Sequence, residues 1–199
     1  MKVALIGASG KVGRRLATEL VSRGHEVMGV ARRAAEPGTT PLRLVDATDP
    51  TALGEALTGC DAVFHAANFR SSDPAAVLQA MRIAGASRLL VVGGAGSLYV
   101  SPGVQFIDSP DFPEVFRPEA AAGRDFLRAL QRSDADWTFL SPALVFASGE
   151  RTGVYRLGGD DLMHDGAGES RISYEDFAKA LVDELETPRH TRQRFSIAY

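Results

Sequence analysis

The chain has 199 residues, 45% hydrophobic and 24% charged, with a formal net charge of −3 and a single cysteine, Cys60. Such usage excludes wholesale disorder, a disulfide framework and a multi-cysteine zinc site, and an acidic balance argues against a nucleic-acid partner. No apolar run approaches the roughly 20 residues that span a bilayer, and no signal-peptide pattern opens the chain, so the composition predicts one soluble, cytoplasmic domain over 1–199 without a membrane partner.

Residues 3–6 form a continuous apolar run ended by Gly7, as in a strand buried on both faces. A glycine loop over 7–10 follows, then a helical stripe over 11–23 carried by Val12, Leu16, Leu20 and Val21, with Gly24 at its end. A second strand over 26–31 ends at Arg32-Arg33. Pro37 and Gly38 mark a loop, and 42–45 reads as a third strand. Asp49-Pro50 opens a helix to residue 57. A strand over 61–65, a helix over 74–85 and a strand over 88–92 continue the alternation.

Residues 94–114 carry too many prolines, glycines and serines for a regular element. Helix returns over 118–132, and 137–140 gives a sixth strand ending at Ser141-Pro142. Residues 145–170 are rich in turn signals, with a hairpin expected near 154–157. Ser173, in capping-box spacing with Asp176, starts a last helix to residue 185, and 194–198 reads as a final strand. This order predicts an α/β fold: a doubly wound parallel sheet of the Rossmann type with helices on both faces. Ligands of such sheets bind beyond the carboxyl ends of the strands, so the residues that follow each strand carry the functional information.

Gly7-Ala8-Ser9-Gly10-Lys11-Val12-Gly13 is a G-x-x-G-x-x-G run between a predicted strand and a predicted helix. Gly7 permits the tight turn, Gly10 lets a pyrophosphate approach the backbone, and Gly13 lets the helix pack against the sheet. The free amides at the helix start, around Lys11 and Val12, supply an anion site.

With GASGKVG at 7–13, VVGGAGSL at 91–98, DWTFLSPA at 136–143, RTGVYRLG at 151–158, SRISYEDFAKALVDELE at 170–186 and a terminal RFSIAY, the chain resembles the short-chain dehydrogenase/reductase superfamily. Within it the chain is similar to an atypical NAD(P)-binding group that includes NADH-flavin reductase-like, biliverdin-reductase-like and NmrA-like proteins. The resemblance implies NADP(H) as cofactor, with NAD(H) as the alternative. Arg32 and Arg33 stand where an NAD-selective protein would carry an acidic residue, and their guanidinium groups suit a 2′-phosphate. Asp46, followed by Ala47, matches the superfamily's adenine-binding aspartate; a turn or cap residue is the other reading. Ala66, Ala67 and Asn68 leave room for ribose and phosphates, Gly93 and Gly94 clear space beside the nicotinamide, and Pro142 and Ala143 resemble the segment that meets the carboxamide.

The superfamily's usual acid, a Tyr-x-x-x-Lys pair, is absent: Tyr99 is followed by Pro102 and Gly103, and the helix over 118–132 has no tyrosine. Ordinary alcohol–ketone chemistry would lack its proton donor. Hydride transfer to a flavin- or quinone-like ring needs mainly that two flat rings be held together. Candidate acceptor-site loops are about 94–117 and 145–172, with Tyr99, Phe106, Phe112, Phe116, Met163 and His164 as ring-packing residues and Ser97 as the candidate catalytic hydroxyl. His25, His65, His164 and His190 lack metal-ligand spacing. The leading expectation is an NADPH-dependent reductase, monomeric or homodimeric. Its rivals are a non-catalytic NADP(H)-binding sensor and an epimerase or isomerase with bound cofactor.

Overall fold

Val3, Leu5 and their neighbours Ala4 and Ile6 are all buried, so the first strand must be covered on both faces, and the whole architecture follows from that requirement. The computed structural model describes residues 1–33 and 40–199; the loop expected at Pro37-Gly38 lies outside them. In chain order the elements are β1 (Lys2–Ile6), α1 (Lys11–Ser22), β2 (Glu26–Ala31), β3 (Leu42–Leu44), α2 (Pro50–Leu57), β4 (Ala62–His65), α3 (Pro74–Ala84) and β5 (Arg88–Val92). They continue with β6 (Tyr99–Ser101), β7 (Val104–Gln105), α4 (Arg117–Gln131), β8 (Asp136–Pro142), β9 (Val145–Ala147), β10 (Arg156–Gly158), β11 (Arg171–Ser173), α5 (Tyr174–Glu186) and β12 (Gln193–Ala198).

The central sheet has the order β3-β2-β1-β4-β5-β8-β12-β10, a Rossmann-type α/β arrangement. Every pairing in it is parallel except that of β10 with β12. Strand order reverses between β1 and β4, which opens a crevice at their carboxyl ends. Because side chains alternate across a strand, Val3 and Leu5 join Leu16, Leu20, Phe177 and Leu181 under α1 and α5. Ala4 and Ile6 join Leu53, Val77, Met81 and Phe126 under α2, α3 and α4.

Local chemistry sets the ends of the helices. Asp49 caps α2 through Thr51 N and Ala52 N, and Asp73 caps α3 through Ala75 N. Ser173 Oγ accepts from Asp176 N at 2.9 Å, but the Asp176 carboxylate turns away to Thr152, Gly153 and Tyr199, so only half of the expected capping box forms.

Two expectations are corrected. The segment near 154–157 makes no hairpin: β10 pairs antiparallel with β12, because Leu157 finds its partner in Ile197 at the sheet edge. The 94–114 stretch, expected to hold no regular element, carries a short β6–β7 hairpin and 3₁₀ turns that satisfy its backbone groups locally. Among the described residues no helix is long and apolar enough to cross a membrane, and no metal-binding cluster occurs.

Candidate active site

The first βα turn leaves no room for a side chain at its glycines. Gly7 has φ +84°, and a Cβ on it would lie 2.6 Å from the Ala66 carbonyl carbon and the Ala67 nitrogen. A Cβ on Gly10 would sit 3.2 Å from the Gly7 oxygen. Unlike α2, α3 and α5, helix α1 has no side-chain cap, and unlike α5 it has no acidic residue in its first turn. The amides around Lys11, Val12 and Gly13 are therefore left for an anion, as a pyrophosphate requires. Gly7, Ser9, Gly10, Arg32, Ala47, Ala66, Ala67 and Asn68 line a cleft of ≈ 180 Å³ over the ends of β1, β2 and β4. These residues fit a dinucleotide.

Arg32 and Arg33 are both exposed beyond β2. Asp46 makes its own turn: Oδ1 accepts from Thr48 N at 3.0 Å and from Thr48 Oγ1 at 2.9 Å. Those bonds, with a smaller contribution from the Arg32 charge, hold its carboxyl below the usual range. Asp46 and Arg33 do not line the cleft, whereas Arg32 does.

A second pocket, of ≈ 390 Å³, adjoins the first: Asn68 lines one and Phe69 the other. Its floor is Gly93 and Gly94 beyond β5, and its walls are aromatic, with Phe69, Phe106, Phe112, Phe116 and Phe139. A Cβ on Gly93 would lie 2.3 Å from Phe139 Cε1, so the glycine admits the ring. A Cβ on Gly94 would meet no protein atom within 4 Å.

Three polar residues enter this apolar wall: Ser97, Glu119 and Arg124. Ser97 is buried; its carbonyl accepts from Gln105 Nε2 at 3.1 Å and Arg194 Nη1 at 3.2 Å, and its hydroxyl lies 3.4 Å from the same Nη1. Glu119 accepts from Phe69 N at 2.6 Å and Arg70 N at 3.3 Å, which fixes the turn that presents the Phe69 ring.

Several predicted ring-packing residues lie elsewhere. Tyr99 is tied by its backbone to Asp160 and Leu162, Met163 packs on Gly158, and His164 is exposed. The 145–172 segment is drawn off by the β9–β11 and β10–β12 ladders and leaves only its neighbour Leu144 at the pocket. Pro142 and Ala143 are buried just before Leu144. Phe69, Phe139, Glu119 and Arg124 were missed by sequence reasoning. Phe69 alone had a signal, since it follows the Ala66-Ala67-Asn68 segment directly.

A tyrosine–lysine contact does exist, outside both pockets. Lys179 Nζ lies 3.4 Å from Tyr155 Oη, and both bond to Asp183, which also holds Arg23 at the C-terminus of α1. Burial, with the Asp183 charge, pushes the Tyr155 hydroxyl upward, the wrong direction for an activated acid. Near the pocket, His65 is fully buried on β4, and burial pushes it down to about 4, so it is neutral.

Fold, glycine cradle and uncapped helix define a dinucleotide-binding Rossmann protein. The chain belongs to the NAD(P)H-binding family, whose model matches residues 7–188. It is 37% identical to the uncharacterised protein YwnB of Bacillus subtilis, across 99% of this chain and 98% of that one. Among solved structures it is similar to a protein of Bacteroides thetaiotaomicron provisionally described as an epimerase (40% identity, TM-score 0.92, covering 100% and 96% of the two chains). It is also similar to a protein of Streptococcus pneumoniae provisionally described as an NADH-flavin reductase (37% identity, TM-score 0.87, covering 100% and 99%).

Proposed function

We propose that the protein is a cytoplasmic, NADPH-dependent reductase that passes hydride to a flat, flavin- or quinone-like acceptor. The observation that carries this reading is the aromatic pocket over Gly93 and Gly94, which abuts the dinucleotide cleft and lacks a tyrosine–lysine pair. Gly7, Gly10 and the start of α1 hold the pyrophosphate, and Arg32 and Arg33 select the 2′-phosphate. The bound cofactor supplies the hydride. The five phenylalanines hold the acceptor ring and exclude water, which raises the frequency of productive approach without a dedicated acid. The likeness to a flavin-reductase-named protein supports the acceptor class.

Steady NADPH oxidation on adding flavin mononucleotide or menadione is the expected result. Tight NADP⁺ binding with no oxidation of NADPH by either acceptor would overturn the reductase reading in favour of a binding protein. An epimerase, the description carried by another similar structure, would also need a proton-transfer group at the ring pocket.

A further inference from the structure

Arg124 stands on α4, two turns from its start, and lines the aromatic pocket. Nη1 is committed to both oxygens of Asp108, at 3.0 and 2.9 Å. Nε is buried with no partner, and Nη2 bonds to nothing among the described residues. Nε–H and Nη2 together form the side-on edge of the guanidinium, the edge that grips an oxygen with parallel N–H bonds. An unpaired buried donor is costly, and such a group in a pocket calls for a ligand atom.

The surrounding charges narrow what that atom is. Asp108 already answers Arg124. Glu119 lines the same pocket, but its oxygens are spent on the amides of Phe69 and Arg70. Of the other cations on α4, Arg117 is held by Glu114 and the Ile107 carbonyl and Arg128 by Asp125, and His65 is neutral. Counting Asp108 and Glu119 against Arg124, the site is not positive enough to favour a ligand with a permanent negative charge. A neutral carbonyl that acquires charge only as hydride arrives suits it better, because an interaction made in the transition state accelerates the reaction.

We infer that Arg124 is the oxyanion-stabilising residue of this pocket and that the acceptor is a flat ring bearing a conjugated carbonyl. The inference rests on the reductase reading above. In the step, the cofactor's C–H bond breaks and its electron pair forms a new bond from hydrogen to a ring carbon or nitrogen of the acceptor. The conjugated π pair moves onto the carbonyl oxygen, facing Nη2. Water later protonates that oxygen, since arginine does not surrender a proton near neutral pH. Arg124 thus supplies charge stabilisation where the superfamily's tyrosine would have supplied a proton.

The probe is 7-hydroxycoumarin, a flat fluorescent phenol, titrated with pH in the presence of NADP⁺-saturated protein. Bound to the wild type, its phenol should ionise at lower pH than when bound to Arg124→Gln. Bound to Arg124→Gln it should ionise at higher pH than in water, because an apolar wall without the cation disfavours the anion. Arg124→Lys should restore part of the downward shift, and Asp108→Asn should enlarge it by releasing the guanidinium. In single-turnover NADPH oxidation by menadione, Arg124→Gln should lose about 100-fold in rate with NADPH affinity unchanged. Ionisation at the same pH in the wild type and Arg124→Gln, or no coumarin binding at all, overturns the inference. So does loss of the shift in Asp108→Asn, which would show that the Asp108 contact acts by shaping the loop. A wild type that shifts the coumarin yet reduces no acceptor overturns the reductase reading alone and leaves the oxyanion site standing.

Discussion

A Cβ built on Gly13 would lie 2.1 Å from the carbonyl oxygen of Gly7, six residues earlier in the chain. The first turn of α1 is thus pressed onto the end of β1, and this contact aims the free amides at the cleft. An alanine in mid-helix is intrinsically favoured over glycine by about 1 kcal/mol. Here the clash with a backbone oxygen outweighs it, since overpacking typically costs about 1–3 kcal/mol. Gly13→Ala should therefore lower the urea midpoint and weaken NADP⁺ binding at least tenfold. A variant that is more stable and binds equally well would contradict the cradle geometry.

The wild type should bind NADPH at least about tenfold more tightly than NADH, because charge-assisted hydrogen bonds to phosphate contribute roughly 1.5–3 kcal/mol each. Arg32 lines the cleft and Arg33 stands beside it, exposed. Replacing both by alanine should equalise the two affinities in a fluorescence titration. Equal affinities already in the wild type would sink the assignment.

Ser97→Ala should slow hydride transfer to an acceptor only threefold to tenfold, the loss of one neutral hydrogen bond of roughly 0.5–1.5 kcal/mol. Arg194, whose side chain is 5% exposed and also bonds to Asp160, holds the Ser97 carbonyl and so that part of the pocket wall. Arg194→Met should raise the acceptor KM more than Ser97→Ala does, while leaving NADPH affinity unchanged. A thousandfold loss in Ser97→Ala would mark that hydroxyl as an essential acid.

Gly94→Leu tests the position of the ring pocket. The backbone there is extended, with φ −138°, and the open space beyond it accepts a side chain without a clash. The variant should fold normally and bind NADP⁺ through its adenosine end, yet fail to oxidise NADPH with any flat acceptor. Normal turnover would put the acceptor elsewhere.

His65 links stability to pH. Its folded value, pushed down to about 4 by burial, lies below the ordinary 6.5, so the unfolded chain binds the proton first. Stability is complete above about pH 6.5 and falls as pH drops toward 4, by roughly 3 kcal/mol at full effect. Urea midpoints from pH 7 to 4 should fall more steeply for the wild type than for His65→Gln. Parallel slopes would show that His65 is not the group responsible.

Much of the fold was legible because its signals are local. Val3 to Ile6 are buried on both faces as their unbroken apolar run implies, and Asp49 caps its helix with its own side chain as the Asp49-Pro50 start implies. The β10–β12 pairing was not legible, since Leu157 and Ile197 are 40 positions apart and meet only at a sheet edge. Asp46 shows the limit within a single residue: a turn role is readable from the sequence, but its place outside the cleft lining is not.

By itself the sequence determined the strand–helix alternation, the glycine cradle at 7–13 and the paired arginines after the second strand, because turn chemistry and side-chain periodicity act over a few residues. The tertiary structure alone decided the second pocket. Phe69, Gly93, Arg124 and Phe139 come from four separate segments, and no spacing relates them. They converge because the crossovers bring the ends of β4, β5 and β8 beside α4, and because Glu119 and Asp108 then hold the Phe69 turn and the Arg124 side chain in place.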